Sequence, residues 1–243
     1  MVDIHSHILP EVDDGARSWE MAIHMCHMAA EDGTDHMVAT PHANEQFAYD
    51  RKWLTSVLEE LRKRIGPVPA LSLGCDFHFS YENLQDLEEH PHRYTIGETP
   101  YLLVELSDFA MPAMVGQKLE ELIESGLRPI LTHPERNMML MGSPHKVLRW
   151  AEAGCIVQVT ASALTGLWGE RSRQVAEWLL KHQAVHVVAS DAHSIDGRPP
   201  ILSHARDVVA ELRGPDVASA LVEHNPRAIV NGQELPYFPR PEI

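Results

Sequence analysis

Short apolar runs recur along the chain near residues 2–4, 37–40, 70–75, 101–104, 129–132, 155–159 and 185–189. Runs such as Met37-Val38-Ala39-Thr40 and Tyr101-Leu102-Leu103-Val104 do not alternate with polar residues. A strand of that kind is buried on both faces, which is the condition inside a parallel sheet covered by helices. The intervening segments carry helical spacing: Ala22, Met25, Cys26 and Ala29 before Gly33; Leu54, Val57, Leu58, Leu61 and Ile65 before Gly66-Pro67; Val115, Leu119, Leu122 and Ile123 before Gly126. Ser18 is placed to cap the first of these helices, and Ser143-Pro144 to open another. Beyond residue 200 the pattern reads as helices near 200–213 and 216–224, a turn at Asn225-Pro226 and a Pro-rich tail. Seven β-then-α units without an antiparallel block predict an α/β fold closed into a (β/α)7 TIM-like barrel, with residues 1–243 as one domain. Residues 77–99 form the longest insertion, read as a lid or contact loop.

Composition narrows the function classes. Thirty-five acids against 20 Lys and Arg give a formal charge of −15, which opposes general nucleic-acid binding. No run of apolar residues is long enough for a membrane span. The N-terminus lacks the basic-then-apolar pattern of a secretion signal, so a cytoplasmic protein is expected. Cys26, Cys75 and Cys155 are odd in number and far apart, so they read as buried thiols rather than a disulfide framework or thiolate cage.

Nearly every predicted strand ends in a side chain able to bind a metal: His5 and His7, His42, Asp76, Glu105, His133, Asp191 and His193. In parallel barrels the C-terminal strand ends share one face, so residues spread over most of the chain converge there. Side chains two apart on a strand point the same way, which lets His5 and His7 reach one ion. Asp13 and Asp14, just past the first strand, also reach that mouth. So many ligands exceed what one ion takes, and two or three divalent ions are expected. The mixed imidazole and carboxylate set suits manganese, iron or zinc. Arg136 in THPERN and Arg198 in SDAHSIDGRPP lie beside these ligands. A guanidinium binds phosphate oxygens in a two-pronged geometry, which points to a phosphoester substrate; pairing with a carboxylate is the plainer role.

The segments DIHSHILPEVDDGA, VATPHAN, LGCD, LLVEL, LTHPERN and VASDAHSIDGRPP, in that order, resemble the PHP (polymerase and histidinol phosphatase) superfamily. Most closely they resemble its bacterial metal-dependent protein-tyrosine phosphatases encoded with capsule and exopolysaccharide genes. The resemblance covers Asp3 to about Arg198 and the NPRAIVNG segment from Asn225. It implies a distorted (β/α)7 barrel holding three metal ions, manganese foremost. One ion would take His5, His7, Glu105 and Asp191. A second would share Glu105 and add Asp76 and His133, and a third would use Asp14, His42 and His193. Asp14 rather than Asp13 is implied because it precedes the glycine of the DG pair. Two positions depart from the family pattern: Glu11 stands where Gly is frequent, and Asp76 where Glu is usual.

By the same resemblance, the expected activity is hydrolysis of phosphotyrosine by a metal-bound hydroxide, with Arg136 and Arg198 as catalytic and substrate-binding residues. The expected partner is a phosphotyrosine protein, such as the tail of a capsule-type tyrosine kinase, and homo-oligomerisation stays open. Besides a PHP nuclease or polymerase accessory role, which the strong negative charge disfavours, three other readings compete. One is a small-molecule phosphatase acting on histidinol phosphate. Another is an amidohydrolase, which would need a bridging lysine where Glu105 stands. The third is a metal-binding regulatory scaffold for a kinase tail. The cysteine-dependent phosphatase mechanism is unsupported, because the positions six after each Cys hold Asp32, Tyr81 and Ala161 rather than Arg. His24 and His27 read as surface or core residues, His90 and His92 as residues of the long acidic loop with accessory metal binding open, the Met138–Met141 run as packing or a loop near the mouth, and Trp19, Trp53, Trp150, Trp168 and Trp178 as helix packing, with a place near the mouth open to Trp168.

Overall fold

The structure, a computed structural model, describes residues 1–241. Its strands are β1 Val2–Ser6, β2 His36–Ala39, β3 His42–Ala43, β4 Ala70–Leu73, β5 Asp76–His78, β6 Tyr101–Glu105, β7 Arg128–Thr132, β8 Ile156–Thr160 and β9 Val187–Ala189. All pair in parallel, in two ladders, β1-β2-β4 and β3-β5-β6-β7-β8-β9. The two ladders arise because β3 continues β2 beyond Pro41, which has no N–H to donate, and β5 continues β4 beyond Gly74-Cys75. A side chain at Gly74 would meet Ile96 and Val38 side-chain atoms at 3.1 Å, so the chain approaches its neighbours closely there. Each broken pair reads in the sequence as a single strand.

Alternation along the strands builds the layers. Tyr101 and Leu103, Ile130, Ile156, and Val187 and Ala189 join Val2, Ile4 and Val38 in one buried cluster drawn from strands all around the ring. Their neighbours Leu102, Val104, Leu131, Val157, Val159 and Val188 pack in a second cluster with the surrounding helices. The first row continues two residues on into Glu105, Thr132, Gln158 and Asp191. The period of two thus turns an apolar interior into a polar mouth at the strand ends.

The helices are α1 Trp19–Glu31, α2 Arg51–Ile65, α3 Tyr81–Glu89, α4 Val115–Glu124, α5 Met138–Met141, α6 His145–Glu152, α7 Ala161–Leu164, α8 Glu170–Lys181, α9 Ser203–Arg213, α10 Pro215–Ser219 and α11 Asn225–Val230, with a π-helical turn over Ala220–His224. Ser18 caps α1 as expected, accepting from Met21 N–H. Three local expectations are corrected. The 77–99 stretch holds β5 and α3, capped by Ser80; Leu87 is the one buried residue of α3, too few to leave a periodic signal. Asn225-Pro226 opens α11 instead of turning, with Pro in the first helical turn, where its missing N–H costs nothing. Ser143 does not cap α6; Pro144 occupies that position without a side-chain bond.

Two long-range clamps hold the ends of the chain. Asp32, after α1, accepts from the Leu202 and Ser203 N–H groups and the Ser203 hydroxyl, capping α9 from across the chain. Buried Asn225 donates to the carbonyls of His186 (2.8 Å) and Tyr237 (2.6 Å) and accepts from Tyr237 N–H (3.0 Å), fastening the tail. His186 is fully buried and its Nδ1 accepts from Val157 N–H (3.1 Å). Burial lowers its pKa to about 3.

Replacing Asp32 with Ala should lower unfolding stability by about 1–2 kcal/mol, the usual cost of a lost helix cap, as read from the denaturant midpoint. His186 binds a proton more readily unfolded than folded, so its contribution is full above pH 6.5 and is lost as pH falls toward 3. His186→Asn keeps an acceptor but does not titrate. Between pH 7 and pH 5 the parent should therefore lose about 2 kcal/mol more stability than this variant; parallel loss in both would refute the assignment.

Candidate metal centre

The nine predicted ligands meet at the mouth. His7, Asp14, His42 and His193 offer ligand atoms that all lie within 4.8 Å of one another, and the same holds for His5, His7 and Asp76, and for His42, Asp76 and Glu105. His133 Nε2 lies 3.8 Å from Glu105 Oε1. Asp191 Oδ1 lies 3.4 Å from His5 Nε2 and 3.6 Å from His7 Nε2. Asp76, the short carboxylate, still reaches the centre, with Oδ2 3.5 Å from His5 Nε2 and 3.3 Å from His42 Nδ1. Glu105 stands between His42 (3.7 Å) and His133 (3.8 Å). The two histidines of the first strand share the site although β1 is irregular between Asp3 and Ser6 and His7 lies just past its end.

Local backbone features aim these groups. Gly15 has no room for a side chain: a Cβ there would sit 2.1 Å from the His7 carbonyl oxygen. The loop can therefore fold under His7, with Asp13 and Asp14 on opposite sides of the task. Asp13 Oδ2 accepts from His7 Nδ1–H (2.7 Å) and its Oδ1 from Gly15 N–H (3.0 Å). Asp14 Oδ1 instead lies 3.4 Å from both His42 Nε2 and His193 Nε2. Glu11, the departure from Gly, has a left-handed φ of 59°, a conformation glycine adopts without strain. His133 and Asp191 also have positive φ, 35° and 51°. Strained backbone of this kind persists only where surrounding structure enforces it.

Hydrogen bonds fix the tautomers. His5 Nδ1–H donates to Gln158 Oε1 (2.9 Å), His7 Nδ1–H to Asp13, and His193 Nδ1–H to the Asp191 carbonyl (2.9 Å). Each bond leaves Nε2 turned toward the cluster, the ring atom a divalent ion takes on displacing its proton. The electrostatics of the protein groups are strongly split. Burial alone would depress His5, but Asp76 and Asp191 raise its pKa to about 9. His42, likewise desolvated, is raised to about 11 by Asp14, Asp76 and Glu105. Burial and the charge of His193 lower His7 to about 4. Burial and the neighbouring Asp76 push Glu105 up.

Asp76 Oδ1 is buried without a hydrogen-bond partner among the described residues, while Asp76 Oδ2 meets only His42 Nδ1 and His5 Nε2, at 3.3 and 3.5 Å. Orphaned buried acceptors of this sort cost free energy unless something else binds them. A mixed imidazole–carboxylate set with open lone pairs fits divalent transition metals.

Arg136 and Arg198 both bind Asp191 Oδ2, the oxygen turned away from the histidines. Their second common neighbour is Trp168, whose ring centroid is 4.2 Å from the Arg136 guanidinium carbon and 5.3 Å from that of Arg198. Trp168 is 41% exposed and Trp53 48%, so neither is a helix-packing residue. His24, His27, His90 and His92 are exposed and stand apart from the cluster. Sequence reading missed Gln158, whose signal was a lone polar residue inside an apolar strand. It also missed His78, whose Nδ1 lies 3.4 Å from Glu105 Oε2.

Residues 1–231 match the family described as capsular polysaccharide synthesis, CpsB/CapC. The chain belongs to the CpsB/CapC family. It is 28% identical over 242 residues to tyrosine-protein phosphatase CpsB of Streptococcus pneumoniae, covering 96% of this chain and 99% of that protein. Tyrosine-protein phosphatase YwqE of Bacillus subtilis (strain 168) is 29% identical over 228 residues, covering 92% and 89%. A chain from the crystal structures of YwqE from Bacillus subtilis and CpsB from Streptococcus pneumoniae, described as unique metal-dependent tyrosine phosphatases, superposes with a TM-score of 0.89 at 28% identity over 100% of both chains. A D-hydantoinase from a Bacillus species, at 11% identity, a TM-score of 0.54 and coverage of 93% of this chain and 70% of its own, shares the fold alone. The CpsB/CapC chain is thus an α/β protein of the distorted TIM-like barrel type.

Asp13→Asn weakens the bond that orients His7 and should lower affinity for a divalent transition metal by about 10–100-fold. Metal titration followed by the thermal midpoint measures this directly; an unchanged titration curve would remove Asp13 from the site.

Proposed function

We propose that this chain is a metal-dependent protein-tyrosine phosphatase working on two or three divalent ions, manganese foremost. The observation that carries the proposal is the convergence of His5, His7, Asp14, His42, Asp76, Glu105, His133, Asp191 and His193 on one mouth beside Arg136 and Arg198. Membership of the CpsB/CapC family and likeness to phosphatases over the full chain support it.

Bound divalent ions would supply Lewis acidity toward a phosphoryl oxygen and activate water at neutral pH. The chain's own groups do the rest. Each guanidinium has five N–H donors, so Arg136 and Arg198 can hold Asp191 and still donate to the equatorial oxygens of a phosphoryl group. Burial, reinforced by Arg136, keeps His133 well below its ordinary pKa, so its ring stays neutral and able to ligate. A tyrosyl leaving group has a pKa near 10 and needs less protonation than an alkyl alcohol.

The substrate in this reading is a phosphotyrosine protein, with the tail of a capsule-type kinase the natural partner; the family's description as capsular polysaccharide synthesis supports that context. The reading treats the chain as one catalytic domain, supported by the family match over residues 1–231. It places the protein in the cytoplasm, supported by three free, buried cysteines. Among the described residues no helix is long and apolar enough to cross a membrane.

A chelator should abolish phosphate release from a phosphotyrosine peptide. A thiol alkylator should not, because all three cysteines are buried and burial raises the Cys26 and Cys155 thiols to about 12. Arg136→Ala should cost about 100-fold or more in kcat/KM, the scale for removing a donor to developing charge. His5→Ala or His7→Ala should lose activity through loss of metal while the barrel stays folded by circular dichroism. Activity that survives chelation would sink the mechanism, and faster turnover of histidinol phosphate than of the peptide would transfer the activity to small molecules.

A further inference from the structure

Three openings reach the ligand cluster, and their linings differ in kind. One, about 480 Å³, has Asp14, Glu45, Glu105 and Asp108 among its lining residues and no Arg or Lys, although Phe47 and Phe109 lie on it. Another, about 620 Å³, carries Arg17 and Arg198 but no aromatic side chain. The third, about 330 Å³, begins at Glu105 and His133, shares Glu105 and Asp108 with the first opening, and adds two arginines, Arg136 and Arg171, together with Trp168, Leu106 and Met141. It alone of the three joins an arginine to an aromatic ring.

Trp168 is fixed in place by its loop. Its indole N–H donates to Ser162 Oγ (2.8 Å), and it sits between Gly166 and Gly169, whose φ angles of 86° and 84° are left-handed. The Gly169 position is not crowded; nothing lies within 4 Å of where a Cβ would be, so glycine there serves backbone conformation. The loop thereby presents a large ring at the mouth while 41% of its surface stays open. One side of the ring environment is taken by the Arg136 guanidinium at 4.2 Å, and aromatic rings recognise other rings by stacking or edge contacts. The apolar sulfur and methyl surfaces of Met141 and Leu106 complete a slot suited to a flat ring.

We infer that this cavity is the aryl subsite: it takes the phenyl ring of a phosphotyrosyl side chain when the phosphoryl group lies against Arg136, with Trp168 the specificity-determining wall. The inference rests on the phosphatase reading above. A linear alkyl phosphate would reach the same arginine and leave the walls unfilled, so the slot favours aryl over alkyl esters.

Binding of benzylphosphonate and methylphosphonate to the manganese-loaded protein, measured by calorimetry, isolates the ring from the anion. The parent should bind the benzyl compound about tenfold more tightly or better, a difference near 1.4 kcal/mol. Trp168→Ala should collapse that ratio to below about threefold, and Trp168→Phe should retain most of it. Trp168 lies on an exposed loop, and an unchanged thermal midpoint shows that the variants fold. A ratio that survives in Trp168→Ala, or that is absent in the parent, overturns the subsite. The same holds if both affinities fall by one factor, since Trp168 would then act only through Arg136. Protein that shows the expected ratios but releases no phosphate from a phosphotyrosine peptide retains the subsite and overturns the phosphatase reading instead.

Discussion

The barrel closes through the backbone of its own candidate ligands. β1 and β9 share no ladder; the end of β1 is joined to the segment just past β9, where Asp191 N–H donates to the His5 carbonyl (2.9 Å) and His7 N–H to the Ala192 carbonyl (2.8 Å). Closing the ring therefore sets His5, His7 and Asp191 against one another, and the side chains have no freedom to miss. Asp3 reinforces the seam from below: it is buried and accepts from the Ser190 N–H and hydroxyl and from His5 N–H. The left-handed backbone at Asp191 is the local consequence of forcing the chain to turn at this junction.

That closure also gathers guanidinium groups at the mouth of a strongly acidic chain. The carboxylates at the centre are spent on histidines and on two arginines, leaving guanidinium donors at the rim. Asp191 serves both sides, with Oδ1 toward His5 and His7 and Oδ2 toward Arg136 and Arg198. One buried carboxylate thus couples the position of the arginines to the position of the ligands. The pairing with a carboxylate and the phosphate role are compatible, since a guanidinium has more donors than Asp191 can accept.

The parts legible in the sequence were those written in periodicity. Apolar runs buried on both faces marked the strands, and on two of them the residue two beyond an inward-facing position is a candidate ligand, Glu105 after Leu103 and Asp191 after Ala189. What periodicity could not show were breaks and long-range bonds. β2–β3 and β4–β5 each read as one strand because the bends at Pro41 and Gly74 leave no hydrophobic mark. The helix over Tyr81–Glu89 escaped notice because a single buried leucine sets no period. Asp32 capping α9 and Asn225 clamping the tail join residues far apart in the chain, which no local window contains.

The sequence by itself determined the fold class and marked the candidate ligands, because both depend on side-chain chemistry near the ends of buried strands. Only the tertiary structure decided which groups share a centre: that Asp13 orients His7 while Asp14 faces His42 and His193, that Asp76 lies with His5 and His42, and that Arg136, Arg198 and Trp168 gather beside them. The physical reason is distance. Hydrogen bonds and ion pairs act over a few ångströms, and those separations exist only after the seam between the first and last strands has closed.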